Sequence, residues 1–281
     1  MIIRENEPLS KHTSYKTGGL ARVYIEPYTT EELLEALKII DKDNFFILGR
    51  GSNVLFSDDF YDGTILSLRK LNLYSFISGK KLFAGAGCKL DSIVEFSISN
   101  DLGGIEELSG IPGSVGGAVF MNAGAFDVEM KDVVEYIIVV DYYGNLQRLD
   151  NKDIKFSYRC SGLGNKIVAE VVLHLNKGAD EAKRDAILGK RADRQPLDYP
   201  SCGSVFKRPK GGFAGSLIEQ CGLKGFRIGG AEISRKHANF IVNTGNATST
   251  DIYSIICHVK EVVYQNTGIL LEEEVKLVNF K

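Results

Sequence analysis

Gly49-Arg50-Gly51-Ser52-Asn53 combines backbone N–H groups unobstructed by side chains with a hydroxyl and an amide. A phosphate or pyrophosphate asks that set of a loop. The glycine-rich stretch from Gly103 to Ala118 offers the same again around Gly113, Ser114, Gly116 and Gly117. Two such loops suit an elongated dinucleotide held at more than one point, although each taken singly reads first as a tight turn. Neither is a Walker A loop, and no G-x-G-x-x-G follows a strand, so a Rossmann site is not supported. The consecutive acids Glu272, Glu273 and Glu274 also stand out.

Charge is unevenly distributed along the chain. Between Lys183 and Lys236 twelve Lys/Arg stand against five Asp/Glu, whereas the whole chain of 281 residues carries 34 basic and 36 acidic side chains. A basic, glycine-bearing segment suits a small polyanion such as a nucleotide diphosphate, and a solvated basic face is the plainer alternative. The near-neutral total argues against a protein built to coat nucleic acid or anionic membrane. Five cysteines without a C-x-x-C pair, and four histidines without a clustered motif, fit neither a disulfide framework nor a zinc site. No bound metal is expected. A charged N-terminus and the lack of an apolar run of about 18 residues lead to the expectation of a soluble, cytoplasmic protein.

Elements must place these groups. Thr29 and Glu32 have capping-box spacing ahead of a helix through Ile40. Phe45 to Leu48, Val54 to Phe56, Leu66 to Leu68 and Leu82 to Ala86 read as strands, and Asp91 is expected to cap a helix reaching about Asn100. Val133 to Asp141 and Leu146 to Leu149 form an expected hairpin, followed by a strand over Ile167 to Leu175 and a charged helix over 180–193. Ala214 to Cys221, closed by Gly222, is a short helix, and Phe240 to Val242 is a strand. Thr248 and Asp251 open a helix whose apolar face is Ile252, Ile255, Ile256, Val259, Val262 and Val263. Leu270 to Val278 closes the chain as a strand on which Glu272 and Glu274 share a face opposite Glu273. The fold class is α+β.

The ordered motifs are more specific than any of these features. His12-Thr13-Ser14-Tyr15-Lys16-Thr17-Gly18-Gly19, Gly49 to Asn53, Ile111-Pro112-Gly113-Ser114-Val115-Gly116-Gly117, Tyr158-Arg159, Ser201 to Lys207, Ile228 to Phe240 and Leu271 to Val275 together resemble the UDP-N-acetylenolpyruvoylglucosamine reductases over nearly the whole chain. The lack of a tyrosine-bearing lid insertion makes it similar to the shorter, type II branch. The resemblance implies an N-terminal FAD-binding module of the vanillyl-alcohol-oxidase type over 1–178, in two subdomains of about 1–72 and 73–178. A smaller α+β substrate domain would follow over 179–281.

It also implies the chemistry. NADPH would reduce FAD, and flavin N5 would pass hydride to the vinyl terminal carbon of the enolpyruvyl ether of UDP-N-acetylglucosamine. The product would be UDP-N-acetylmuramate, a peptidoglycan precursor. Charge developing on the enolpyruvyl carboxylate calls for a cation and a donor. The family pattern gives the first role to Arg159 and the second to a protonated Glu274, whose pKa burial would have to raise. Ser204 matches the serine that protonates the carbon. Gly49, Arg50, Gly51, Ser52, Asn53, Gly113, Ser114, Gly116 and Gly117 would hold the cofactor, and Tyr158, Lys207, Lys236 and His237 the substrate. Without the resemblance, Arg159 is a surface arginine, Ser204 a turn serine after Gly203, and the three acids are interchangeable. Lys236 and His237 could equally hold their loop together. With no histidine beside either glycine loop in the sequence, FAD is expected to be non-covalent. Cys202 and Cys221 read as inert, Cys202 being the one that thiol reagents could reach beside Ser204. A monomer acting on small molecules is expected. The alternatives are another non-covalent FAD oxidase or dehydrogenase on the same fold, or a non-enzymatic nucleotide-sugar binding module.

Overall fold

Apolar side chains recur at helical spacing in Thr30–Ile39, where Leu33, Ala36 and Leu37 are buried. The computed structural model, which describes residues 1–280, packs that stripe into the larger of two cores. Thr29 caps this helix, accepting the Glu32 N–H at 3.2 Å, but the Glu32 carboxylate accepts the Tyr28 N–H instead of closing the box on Thr29. Two sheets contribute to the first core. One has the order Ile2–Pro8, Leu20–Glu26, Tyr61–Ser67, Phe45–Leu48, with the last two strands parallel. The other is antiparallel, in the order Leu146–Asp150, Val134–Asp141, Lys166–His174, Lys81–Gly85, Tyr74–Ser78. The hairpin expected around Gly144 is present, and Gly144 adopts φ +89°. The edge strand Tyr74–Ser78 is exposed at all five positions, so no burial pattern announced it.

The second core is assembled from short pieces. Ile252, Ile255, Ile256, Val259 and Val263 of helix Ser249–Thr267 pack with Ile233 and Ile241 from the antiparallel strands Arg227–Ile228, Ala231–Ile233 and Ile241–Asn243. Full burial of each such side chain stabilises by about 1.5–3 kcal/mol. The capping box of this helix is complete: Asp251 N–H reaches Thr248 Oγ1, and Thr248 N–H reaches the Asp251 carboxylate, both at 3.0 Å. Asp58 adds a second clamp, accepting from the N–H groups of Ser249 and Thr250 and from the Thr250 hydroxyl.

Three expectations need correction. Asp91 does not cap Leu90–Ile98, because Lys89 stands at the N-cap; Asp91 lies in the first turn and turns its carboxylate to the Gly110 N–H at 2.8 Å. The glycine stretch contains a helix, Val115–Phe120, capped by Ser114. The C-terminal strand is confined to Lys276–Val278, parallel to Val54–Phe56, because residues 272–275 turn their hydrogen bonds to 205–207 instead.

Contacts divide the chain into two interleaved units, unlike the expected single cut between residues 178 and 179. The first comprises Met1–Glu5, Val23–Arg50 and Asp62–Lys190; the second comprises Asn6–Arg22, Gly51–Tyr61 and the chain from Arg191 onward. Among the described residues no helix is long and apolar enough to cross a membrane, and no group of three or more His, Cys, Asp or Glu could hold a metal ion.

Candidate functional site

In the first unit the two glycine loops meet. A β-carbon on Gly49 would lie 2.7 Å from Ser114 Oγ, so a side chain there would press on the hydroxyl that caps Val115–Phe120. The second loop is fastened from beneath. Glu106, buried, accepts the N–H groups of Gly104, Ile105 and Asp180, while Asp91 holds Gly110. Val115 N–H donates to Cys88 O and Gly116 N–H to Ala86 O, both at 2.9 Å.

Arg50 reaches across the same region, its Nη2 donating to Gly87 O at 3.0 Å. Burial, and then the neighbouring Arg69 cation, lower its pKa. Its Nε is buried with no hydrogen-bond partner among the described residues. Leaving such a donor unpaired costs about 1–3 kcal/mol, and a bound anion removes that cost. The loops, the half-buried cation and the unpaired donor therefore fit the diphosphate of a dinucleotide such as FAD.

Two residues near the loops whose types could tether a cofactor covalently, Cys88 and His12, have side chains bonded to other groups. Cys88 lies between the loops, but its thiol donates to Leu73 O at 3.4 Å, and burial pushes its pKa up to about 11. A histidine does lie beside a loop in space: Gly51, at φ +69°, packs on the His12 carbonyl, where a β-carbon would come within 2.1 Å. Only the His12 backbone makes that approach, and its ring bonds Glu7 at 2.9 Å.

Tyr158 and Arg159 occupy the two central positions of a tight turn closed by Ser157 N–H to Cys160 O at 2.8 Å and Cys160 N–H to Ser157 O at 3.1 Å. Arg159 has φ +53°, a left-handed conformation that costs an ordinary residue roughly 1–2 kcal/mol. Strain of this kind persists where the surroundings impose it. Here they are explicit: fully buried Asn122 donates from Nδ2 to Ser157 O and to Glu129 Oε2, both at 3.0 Å, and accepts the Lys131 N–H at 3.1 Å. Ser161 Oγ ties the far side of the turn to Phe120 O. The Arg159 guanidinium donates to Gly124 O at 3.3 Å and lies 5.0 Å from the Tyr158 ring centroid. Asn122 was not legible as a functional residue, since a loop asparagine has no spacing that marks it.

The second unit carries the other cluster. Gly203, at φ +75°, delivers the chain to half-buried Ser204, and residues 205–207 are then paired on both sides. Glu274 N–H donates to Val205 O at 2.7 Å, and Lys207 N–H to Glu272 O at 2.9 Å. The Asn53 amide donates to Glu274 O at 3.1 Å, and Asn53 O accepts the Lys276 N–H at 3.0 Å. Asn53, grouped by sequence with the cofactor loop, thus also fixes the backbone at Glu274.

The three acids separate. Glu272 pairs with Lys207, Glu273 pairs with Lys260 at 2.6 Å, and Glu274 is tied by its backbone on both sides. Lys236 Nζ donates to Ala192 O, and His237 accepts the Asn239 N–H on Nδ1 at 3.2 Å, so both take part in holding their loop. Burial lowers the His237 pKa. For Cys202 the structure favours the inert reading over reaction with thiol reagents. The residue is buried, its thiol lies against Val54 O and Gly51 O, and burial pushes its pKa up to about 12.

Known proteins agree with this geometry. A family model described as an FAD binding domain matches residues 21–150, and one described as the UDP-N-acetylenolpyruvoylglucosamine reductase C-terminal domain matches residues 195–278. A reductase of that name from Caldanaerobacter subterraneus subsp. tengcongensis is 44% identical, over 98% of this chain and 93% of its own. Another, from Listeria welshimeri, is 43% identical over 98% of this chain and 95% of its own. The crystal structure of the Thermus caldophilus reductase superposes with a TM-score of 0.86 at 32% identity, covering 99% of this chain and 100% of that one. An FAD-binding module and a reductase C-terminal domain thus lie in order along one α+β chain, and the chain belongs to the UDP-N-acetylenolpyruvoylglucosamine reductase family.

Proposed function

We propose that this protein reduces the enolpyruvyl ether of UDP-N-acetylglucosamine to UDP-N-acetylmuramate, with NADPH as the electron donor. The observation that carries the reading is the hydrogen bond from Glu274 N–H to Val205 O, which ties the segment of a candidate carboxyl donor to that of a candidate proton donor. The chemistry that bound FAD supplies is hydride transfer, taken from NADPH and given to the vinyl terminal carbon of the substrate.

The remaining work belongs to side chains. Arg50, with the backbone around Gly49, Gly51, Ser52, Gly113, Ser114, Gly116 and Gly117, holds the cofactor diphosphate. Arg159 offers a fixed cation to the enolpyruvyl carboxylate as charge builds there, a contribution available only if the guanidinium is already in place. Glu274 assists as a hydrogen-bond donor in its protonated form. Ser204 gives a proton to the carbon next to the one that accepts hydride, so one hydride and one proton together saturate the double bond. A serine hydroxyl is a weak acid, and it serves here because the centre it protonates is strongly basic. Tyr158, Lys207, Lys236 and His237 contribute to binding the nucleotide sugar.

The test separates two half-reactions without oxygen. NADPH is expected to bleach the flavin, and the enolpyruvyl substrate to restore its colour. Ser204→Ala is expected to keep the bleaching and slow the restoration by about 10²–10⁴-fold, the usual worth of a positioned proton donor. Wild-type flavin that the substrate fails to reoxidise would overturn the reductase reading; equal loss in both half-reactions of Ser204→Ala would overturn the serine's role.

A further inference from the structure

We propose that Asn239 is a positioning residue that sets where the Ser204 hydroxyl stands, an inference that rests on the role of Ser204 given above. Its side chain acts as one residue of a missing strand. Oδ1 accepts the Phe206 N–H at 3.0 Å while Nδ2 donates to Phe206 O at 2.9 Å, so a single amide pairs with both polar groups of one backbone residue. The Asn239 backbone adds a third bond, its carbonyl accepting the Val205 N–H at 2.9 Å. Asn239 is buried, so these bonds are made where an unmade one is expensive.

The opposite edge of the same segment is held by residues 272–275, through Glu274 N–H to Val205 O and Lys207 N–H to Glu272 O. Residues 205–206 therefore have every backbone donor and acceptor engaged, three of the four by Asn239 and the Val205 carbonyl by the Glu274 segment. Ser204 is the first residue outside this clamp. On its other side stands Gly203 at φ +75° with nothing within 4 Å of where a β-carbon would be, a position that imposes little on its neighbour. The direction of the Ser204 side chain is inherited from Val205 and Phe206, and so from Asn239.

Only an amide can do this. Aspartate keeps the acceptor for the Phe206 N–H but sets a second oxygen against Phe206 O, and alanine loses both bonds. A displacement near 1 Å at a reacting group can cost about 10²-fold in rate. The group misplaced here is needed only when the substrate is reduced, so the two half-reactions should respond differently.

The experiment is a double-mutant cycle on the flavin-loaded enzyme, with both half-reactions followed anaerobically by flavin absorbance. Asn239→Asp is expected to retain flavin and its bleaching by NADPH, and to slow reoxidation by the enolpyruvyl substrate about 10- to 100-fold. Placed on Ser204→Ala, the same change should slow reoxidation by less than about twofold, since coupled residues are not additive. Full additivity, or equal slowing of both half-reactions, overturns the inference. If Asn239→Asp does not retain flavin, Asn239→Ser, which leaves one hydroxyl for Phe206, runs the same cycle with the same criteria. A slow Ser204→Ala beside a normal Asn239→Asp refutes the positioning role alone. A normal Ser204→Ala refutes the serine's role, and this inference with it.

Discussion

The turn that carries Arg159 and the segment that carries Ser204 are each fastened by a buried asparagine amide, and they differ in what the backbone is made to do. In the first unit Asn122 holds Ser157 O while the chain bends through a left-handed arginine. In the second, Asn239 completes an extended segment, and the unusual torsion falls on a glycine, Gly203, that tolerates it freely. A long cation must be aimed from a narrow turn, which stores strain in the residue that does the work. A short hydroxyl needs only its attachment point fixed, which ordinary pairing achieves. Placement is achieved by strain in one unit and by register in the other.

Substitutions can break this contrast. The largest effect is expected from Arg159→Gly, which should slow substrate-driven reoxidation by about 10²–10³-fold, the usual worth of one donor to a developing charge. Its melting temperature should hold steady or rise, because glycine relieves roughly 1–2 kcal/mol of left-handed strain. A clear fall in melting temperature would show that the turn is not strained in the sense used here. Next in size, Asn122→Ala should cost about 1–3 kcal/mol in denaturant unfolding, since Ser157 O and the Lys131 N–H lose a buried partner. A cost below the error of the measurement would show that the turn stands without it.

The smallest effect separates neutral clamps from a charged one. Asp58 is partly desolvated, which raises its pKa, but its bonds from Ser249 and Thr250 outweigh burial and leave the pKa below the ordinary carboxylate value. Its contribution is therefore complete above the unfolded pKa of about 3.9 and disappears as pH falls through the lower folded value. Asp58→Ala should cost about 0.5–2 kcal/mol at neutral pH, the usual range for a lost helix cap. That cost should shrink in acid as the wild type loses its own clamp; a cost independent of pH down to strong acid would sink the assignment.

What the sequence disclosed follows the range of the interactions. The box at Thr248 and Asp251 closes over three residues, and the apolar stripe behind it repeats within one helix, so both were readable. Val115–Phe120 was hidden because Gly116 and Gly117 disfavour helix; Ser114 caps it, and Gly116 lies where a β-carbon would meet Ala86 at 2.6 Å. The three acids looked like one strand because alternation does not reveal that residues 272–275 change partners before Lys276. The cofactor loop was legible by type, yet the bond from Asn53 to Glu274 joins residues too far apart for any local pattern. Arg159 was found by family resemblance alone. Nothing in its type signals a positive φ, and the Asn122 amide that supports the turn lies in a separate loop.

The interleaving of the two units has a consequence for how the protein is made. Val54, Leu55 and Phe56, all destined for burial, leave the ribosome long before the strand they pair with, Lys276–Val278. Tyr15 and Leu55, members of the second core, likewise precede nearly everything they pack against. Until those later residues emerge, these apolar residues form an unfilled edge of the kind that invites wrong partners. An early strand of the second unit thus waits on a distant one, and losing Lys276–Val278 would leave Val54–Phe56 without its partner.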